Sequence, residues 1–143
     1  MSSTLYEADY YLWVEQTAQK LREGRFDDVD WYNLIEEIED MGKSQKRALE
    51  SLLTRLLEHL LKLSYWESEK DRSGNHWAAE IVNFRYLINK RIKESPSLKP
   101  GLESMYAEIF PIAVKSVSKL FSLPADAHIS LEQTLDENWF PDH

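Results

Sequence analysis

The chain reads as an all-α protein, a compact helical bundle of about four main helices plus a short C-terminal helix. Two observations predict it. Across 143 residues there are only 4 glycines and 5 prolines, too few for the turns of a many-stranded fold. From Asp30 to Trp66, in DWYNLIEEIEDMGKSQKRALESLLTRLLEHLLKLSYW, apolar residues recur every three or four positions, the period of a helix with one buried face.

The first helix is expected from about Ala8 to Glu23, with Tyr10, Trp13, Thr17 and Leu21 on one stripe. Thr4 or Asp9 can cap it, and Thr4 with Glu7 fits a capping box. Gly24 suits the left-handed residue that ends a helix. Asp30 is the natural N-cap of the second helix. Its inward positions start at Trp31, Leu34, Ile35, Ile38 and Met41 and continue past Gly42 through Leu49, Leu53, Leu56, Leu57, Leu60 and Leu61. A mid-helix glycine costs about 1 kcal/mol relative to alanine, which weakens a helix without breaking it. Two readings compete, two helices broken at Gly42 or one helix from Trp31 to about Ser64, and the unbroken register favours the single helix, with a bend at Gly42 left open.

The polar stretch Glu67–Gly74 is expected as an exposed loop. A third helix follows from about Asn75 to Glu94, with Trp77, Ile81, Phe84, Leu87, Ile88 and Ile92 inward; Ser95-Pro96 ends it, because a residue before proline avoids the helical region. The fourth spans about Lys99 to Phe121, with Leu102, Ile109, Ala113, Val117 and Leu120 inward and Pro111 interrupting one backbone bond. Ser130 and Gln133 form a capping box for a last helix to Asp136, after which Trp139-Phe140-Pro141 would pack the tail onto the bundle. With no repeat or linker, residues 1–143 read as a single helical domain.

Charge is unevenly spread. Residues 1–42 carry a net −8, residues 43–99 a net +5 and residues 100–143 a net −5. The basic middle can face its own acidic flanks, pair head to tail with another subunit, or meet an anionic partner. The absence of cysteine removes disulfides, thiolate metal sites and cysteine nucleophiles. Met1–Leu5 lack the basic and apolar runs of a signal peptide, and Leu52–Leu63 is broken by charges well short of a membrane span. These features point to a soluble, cytoplasmic protein with no membrane association.

Three constellations bear on function. Glu36, Glu39 and Asp40 stand at i, i+3 and i+4 and so share one helix face. Joined by His59, they could hold a divalent cation such as manganese or magnesium, and a metal-dependent enzyme would use these four. The pairing depends on a bend at Gly42, since on one straight helix Glu36 and His59 are about 34 Å apart by axial rise. The plainer reading is a solvated acidic face near a helix N-terminus, stabilised by about 0.3–1 kcal/mol through the helix dipole, with Glu39–Lys43 and Lys46–Glu50 as i, i+4 ion pairs. No cofactor is required on that reading.

The second is basic: Lys43, Lys46, Arg47, Arg55 and Lys62, with Arg85, Lys90, Arg91, Lys93 and Lys99. Glu50 and Glu58 interrupt the first group, and the chain is acidic overall with pI ≈ 5.0. Nucleic-acid binding, which needs a contiguous face for several phosphates, is disfavoured against salt bridging. The third is aromatic: Tyr11 and Trp66 fall off the clearest stripes and could mark an exposed patch for a partner. No Gly-x-Ser-x-Gly, phosphate-binding glycine loop or His-Glu-x-x-His is present, so nothing points to an enzyme of those classes.

The segments LYEADYYLW (Leu5–Trp13), LREGRFDDVDWYNLIEEIEDMG (Leu21–Gly42), RLLEHLLKLSYW (Arg55–Trp66) and SPSLKP (Ser95–Pro100) resemble the bacterial family called domain of unknown function 29, common in cyanobacteria. The resemblance implies a compact helical domain in a bacterial cytoplasm and no particular reaction. The stretch after Trp77, AAEIVNFRYLINKRIK, is less basic than the resemblance leads one to expect, which weighs further against a nucleic-acid role. Taken together, the residues favour a small non-enzymatic interaction or regulatory module that binds a protein partner or itself.

Overall fold

A computed structural model describes residues 4–141, leaving Met1–Ser3, part of the segment inspected for a signal peptide, and Asp142–His143 outside the described residues. The described residues form helices and turns without strands: α1 (Leu5–Ala8), α2 (Tyr10–Arg22), α3 (Trp31–Tyr65), α4 (Glu67–Glu94), α5 (Leu102–Val117) and α6 (Leu131–Leu135), with short 3-10 turns at Phe26–Asp28 and Pro96–Gly101. The all-α class with four main helices and a short C-terminal one is therefore as the sequence predicts. No helix is long and apolar enough among these residues to cross a membrane. The chain divides into two compact units, Met1–Gln45 and Lys46–His143.

In the first unit the expected single N-terminal helix is two. Thr4 caps α1, its hydroxyl accepting from the Glu7 amide, and Asp9 breaks the helix to cap α2, its carboxylate accepting from the Leu12 amide at 3.1 Å. Both residues act as caps because each offers a short side-chain oxygen to amides that lack a helical partner. Gly24 ends α2 with φ 73°, and the Arg25 amide returns to the Lys20 carbonyl at 2.9 Å. The chain then turns through Phe26–Asp28. Asp30 opens α3 by accepting from the Asn33 amide at 3.3 Å and its side-chain amide at 2.7 Å. The indole of Trp31 donates to the Phe26 carbonyl at 2.9 Å, and Lys20 donates to the Asp28 carbonyl at 3.1 Å, so the turn is tied to both helices.

α3 runs without a break through Gly42, as its unbroken spacing predicts. In the second unit its leucines form the centre of the core: Leu49, Leu53, Leu56, Leu57, Leu60 and Leu61 are completely buried. Trp77, Ile81, Phe84 and Ile88 of α4 meet them, as do Met105, Ile109, Ala113 and Val117 of α5. Each leucine, isoleucine, valine, methionine or phenylalanine among them contributes about 1.5–3 kcal/mol by leaving water.

The sequence-based loop at residues 67–74 is instead the first two turns of α4, and Trp66 alone joins it to α3. Glu67 and Glu69 sit favourably at the positive end of the helix dipole. Ion pairs Lys70–Glu67 at 3.2 Å and Arg72–Glu69 at 3.5 Å add support. Gly74 is buried there; an added Cβ would lie 3.3 Å from Lys70 Cγ of the same helix and in ordinary contact with Leu63 at 3.7 Å. Ser95-Pro96 ends α4 as expected. Helix four is shorter than expected: α5 starts at Leu102, ends at Val117 with Pro111 inside it, and leaves Leu120 exposed.

α6 carries the predicted capping box, the Ser130 hydroxyl and Gln133 amide oxygen accepting reciprocally from each other's backbone. The tail does pack on the core, through Trp139 and Phe140. Its anchor is Arg85, which is 1% exposed. The guanidinium donates to the carbonyls of Gln133 at 3.0 Å, Thr134 at 2.9 Å and Trp139 at 2.7 Å, and lies 5.2 Å from the Phe140 ring centroid. Burial pulls its pKa down, opposed by the nearby charges of Asp136 and Glu137. The basic set in which the sequence groups it thus contains one residue held by backbone carbonyls rather than by a salt bridge.

Candidate functional site

The proposed metal ligands are not gathered by the fold. Glu36, Glu39 and Asp40 share an exposed face of α3 in the first unit, and His59 belongs to the second. Among the described residues no group of three or more His, Asp or Glu side chains is arranged to hold a metal ion. His59 is half-buried. One ring nitrogen bonds the Arg55 carbonyl at 2.8 Å, its ring meets Phe84 edge-on at 5.2 Å, and burial lowers its pKa. Those contacts are those of a packed histidine.

Glu37, within the same acidic run, has a different role. Its carboxylate accepts from the hydroxyls of Tyr6, at 2.5 Å, and of Tyr10. Tyr6, Tyr10 and Trp13 form a cluster with ring centroids 4.8 to 6.0 Å apart. The two phenols hold the Glu37 carboxyl below its ordinary 4.5, Tyr10 most strongly. The carboxylate in turn pushes Tyr6 up to about 12 and raises Tyr10. This staple joins α1 and α2 to α3. The sequence signal was slight: Tyr6 and Tyr10 stand on α1 and α2, on either side of the break at Asp9, so no single helical face carries both.

Its pH dependence follows from the signs. A carboxylate with a lowered pKa adds stability above 4.5 that is lost as pH falls through the lowered value; a phenol raised above 10.0 adds stability below 10.0 that is lost as pH rises toward about 12. The thermal midpoint of the staple-bearing unit should therefore be highest between those limits and fall at both ends. Glu37→Gln should flatten both limbs, whereas limbs that persist in Glu37→Gln would exclude the staple as their cause.

Beside the staple the first unit has an open apolar surface. Tyr10, Trp13, Val14, Thr17, Ala18 and Leu21 of α2, with Leu34, Glu37 and Met41 of α3, line a groove of about 310 Å³. The apolar positions of α3 expected to face inward are exposed here: Trp31 by 46%, Ile35 by 53%, Ile38 by 55% and Met41 by 60%. The reason is geometric. α2 covers the flank bearing Leu34 and Glu37, and one neighbouring helix cannot also cover the stripe of Trp31, Ile35 and Ile38. Of the fourteen large exposed apolar side chains among the described residues, ten lie between Tyr10 and Met41.

The two aromatics suspected of marking a patch divide. Tyr11 is exposed, in this same region, whereas Trp66 is half-buried, stacked between Trp77 at 5.7 Å and Phe121 at 4.9 Å. In the basic set Arg85 is buried, Lys62 and Arg91 are half-buried, and Lys43, Lys46, Arg47, Arg55, Lys90, Lys93 and Lys99 are exposed. The expected pairs Glu39–Lys43 and Lys46–Glu50 do not form; the ion pairs among the described residues lie elsewhere.

No curated protein and no solved structure matches the chain. A family model does, over residues 5–140, that of the domain of unknown function DUF29. With nearly the whole chain covered, the protein belongs to the DUF29 family.

Proposed function

We propose that this protein is a non-enzymatic interaction module whose contact surface is its N-terminal helical hairpin, α2 with the first turns of α3. The observation that carries this reading is the concentration of large exposed apolar side chains between Tyr10 and Met41. A contiguous exposed apolar patch rimmed by charge is the usual mark of a protein-binding face. Here the rim is Glu36, Glu39 and Asp40, and the Tyr6–Tyr10–Glu37 staple holds the two helices in place beneath it. The leucine core of the second unit needs no partner for its own burial. A cytoplasmic setting fits this use.

Ile35→Asp with Ile38→Asp puts two charges into the patch without touching a buried residue. The wild-type chain, immobilised in lysate of its source cell, should retain a protein that the double variant releases, while circular dichroism stays unchanged. Equal retention by both would overturn the reading.

A further inference from the structure

The groove of the hairpin has a wall from each helix, Val14, Ala18 and Leu21 of α2 facing Leu34 and Met41 of α3. From Tyr10 to Leu21 its lining follows α2 for about three turns. Ile38 stands four residues after Leu34 and three before Met41, and Ile35 four after Trp31, so apolar surface continues outward from the α3 wall. A furrow between two packed helices suits a third helix, whose own apolar residues recur every three or four positions. No strand exists among the described residues, so an extended peptide finds no sheet edge to join.

Charge selects among helices. Residues 1–45, the first unit, hold 11 Asp and Glu against 4 Lys and Arg, a net of −7. Glu39 follows Ile35 by four, Glu36 precedes Glu39 by three, and Glu15 follows Tyr11 by four, so carboxylates adjoin the apolar surface on both helices. All three are exposed, and none is ion-paired among the described residues. Of the four cations, Arg25 pairs with Glu23 and Asp28, and Lys20 donates to the Asp28 carbonyl. Arg22 is the last residue of α2 and Lys43 lies two beyond Met41, so these two stand at the ends of the face. A second hairpin would bring the same negative charge against this one, and a partner of opposite sign is drawn to it.

We propose that the occupant of the hairpin face is a cationic amphipathic helix of another protein. Its apolar residues lie in the groove between α2 and α3, and its Lys or Arg side chains reach out to Glu15, Glu36 and Glu39. The proposal rests on the reading of the hairpin as an interaction surface. One pose meets both demands, because the carboxylates flank the apolar residues on the same two helices, and every residue used belongs to the first unit.

Fluorescence anisotropy of a labelled amphipathic peptide of leucine and lysine at helical spacing, titrated with the full chain, tests this. A scramble of the same composition and a leucine–glutamate counterpart accompany it. Wild type should bind the leucine–lysine helix, less tightly as salt rises, and the other two more weakly by about tenfold or more. Ile35→Asp with Ile38→Asp makes the hairpin more acidic, yet should weaken the lysine helix by about tenfold because its apolar seat is gone. E36K/E39K keeps the seat and should weaken the lysine helix by a similar factor of about ten while improving the glutamate one. Circular dichroism checks that both variants, all at exposed positions, stay folded. No binding of the lysine helix at low salt would overturn the proposal. So would equal binding by the scramble or the aspartate variant, which would mean attraction by charge alone, or indifference to E36K/E39K. A dimer of the chain that the aspartate variant dissolves would put a second copy in the helix's place. If the peptide fails while lysate capture still responds to the aspartate variant, the interaction surface stands with a different occupant. If neither responds, both readings fall.

Discussion

Replacing Arg85 with methionine should free the C-terminal segment and lower the unfolding free energy by about 3–5 kcal/mol. Three carbonyls, of Gln133, Thr134 and Trp139, accept from this one guanidinium. Hydrogen bonds to a charged group contribute about 1.5–3 kcal/mol each, and the cost of burying the charge offsets part of their sum. Methionine fills similar space and leaves the carbonyls without donors, so the segment gains by letting go. With it would go the packing of Trp139 and Phe140 on the core. Urea denaturation would measure the loss, and limited proteolysis would show new cuts between Leu135 and Pro141. Arg85→Lys should recover only part, because an ammonium lacks the planar fork that reaches three acceptors together. A loss below about 1 kcal/mol for the methionine variant would show that α6 and the tail hold without the guanidinium.

Trp66→Ala should cost about 3 kcal/mol. The indole sits at the single-residue joint between α3 and α4 and is stacked between Trp77 and Phe121, the latter nearly parallel to it at 10°. Truncating a buried tryptophan costs about 3–5 kcal/mol, and partial exposure places this one at the low end. Trp66→Phe should keep about half of the stabilisation through the remaining stack. Thermal unfolding would measure both. A neutral Trp66→Ala would return the residue to the role of an exposed contact, which its position off the main stripe had implied.

Much of the fold could be read from side-chain period and capping chemistry, because both are local. The three-and-four spacing across Gly42 predicts the continuous α3, Ser130 with Gln133 predicts the start of α6, and Gly24 and Ser95-Pro96 mark two ends. The first turns of α4 escaped because their residues are polar and what supports them, acidic side chains at the helix start and ion pairs three apart, leaves no apolar stripe. The division at Asp9 escaped because two valid caps, Thr4 and Asp9, compete for one apparent helix.

The candidate site was less legible. Periodicity tells which residues share a face of α3, not whether the chain supplies a cover for that face. Trp31, Ile35 and Ile38 therefore looked like core positions and are surface ones. Arg85 shows the converse. Its acceptors are backbone carbonyls, which carry no residue signature, so a buried clamp looked like one more member of the basic set.

Amide hydrogen exchange, mapped on the full chain free at low concentration and again in the assembly it forms or captures, tests the central claim most directly. The account predicts added protection across α2 and residues 31–43, with exchange in α5 unchanged. Protection confined to α4, α5 or the C-terminal segment would contradict it and move the interaction surface off the N-terminal hairpin.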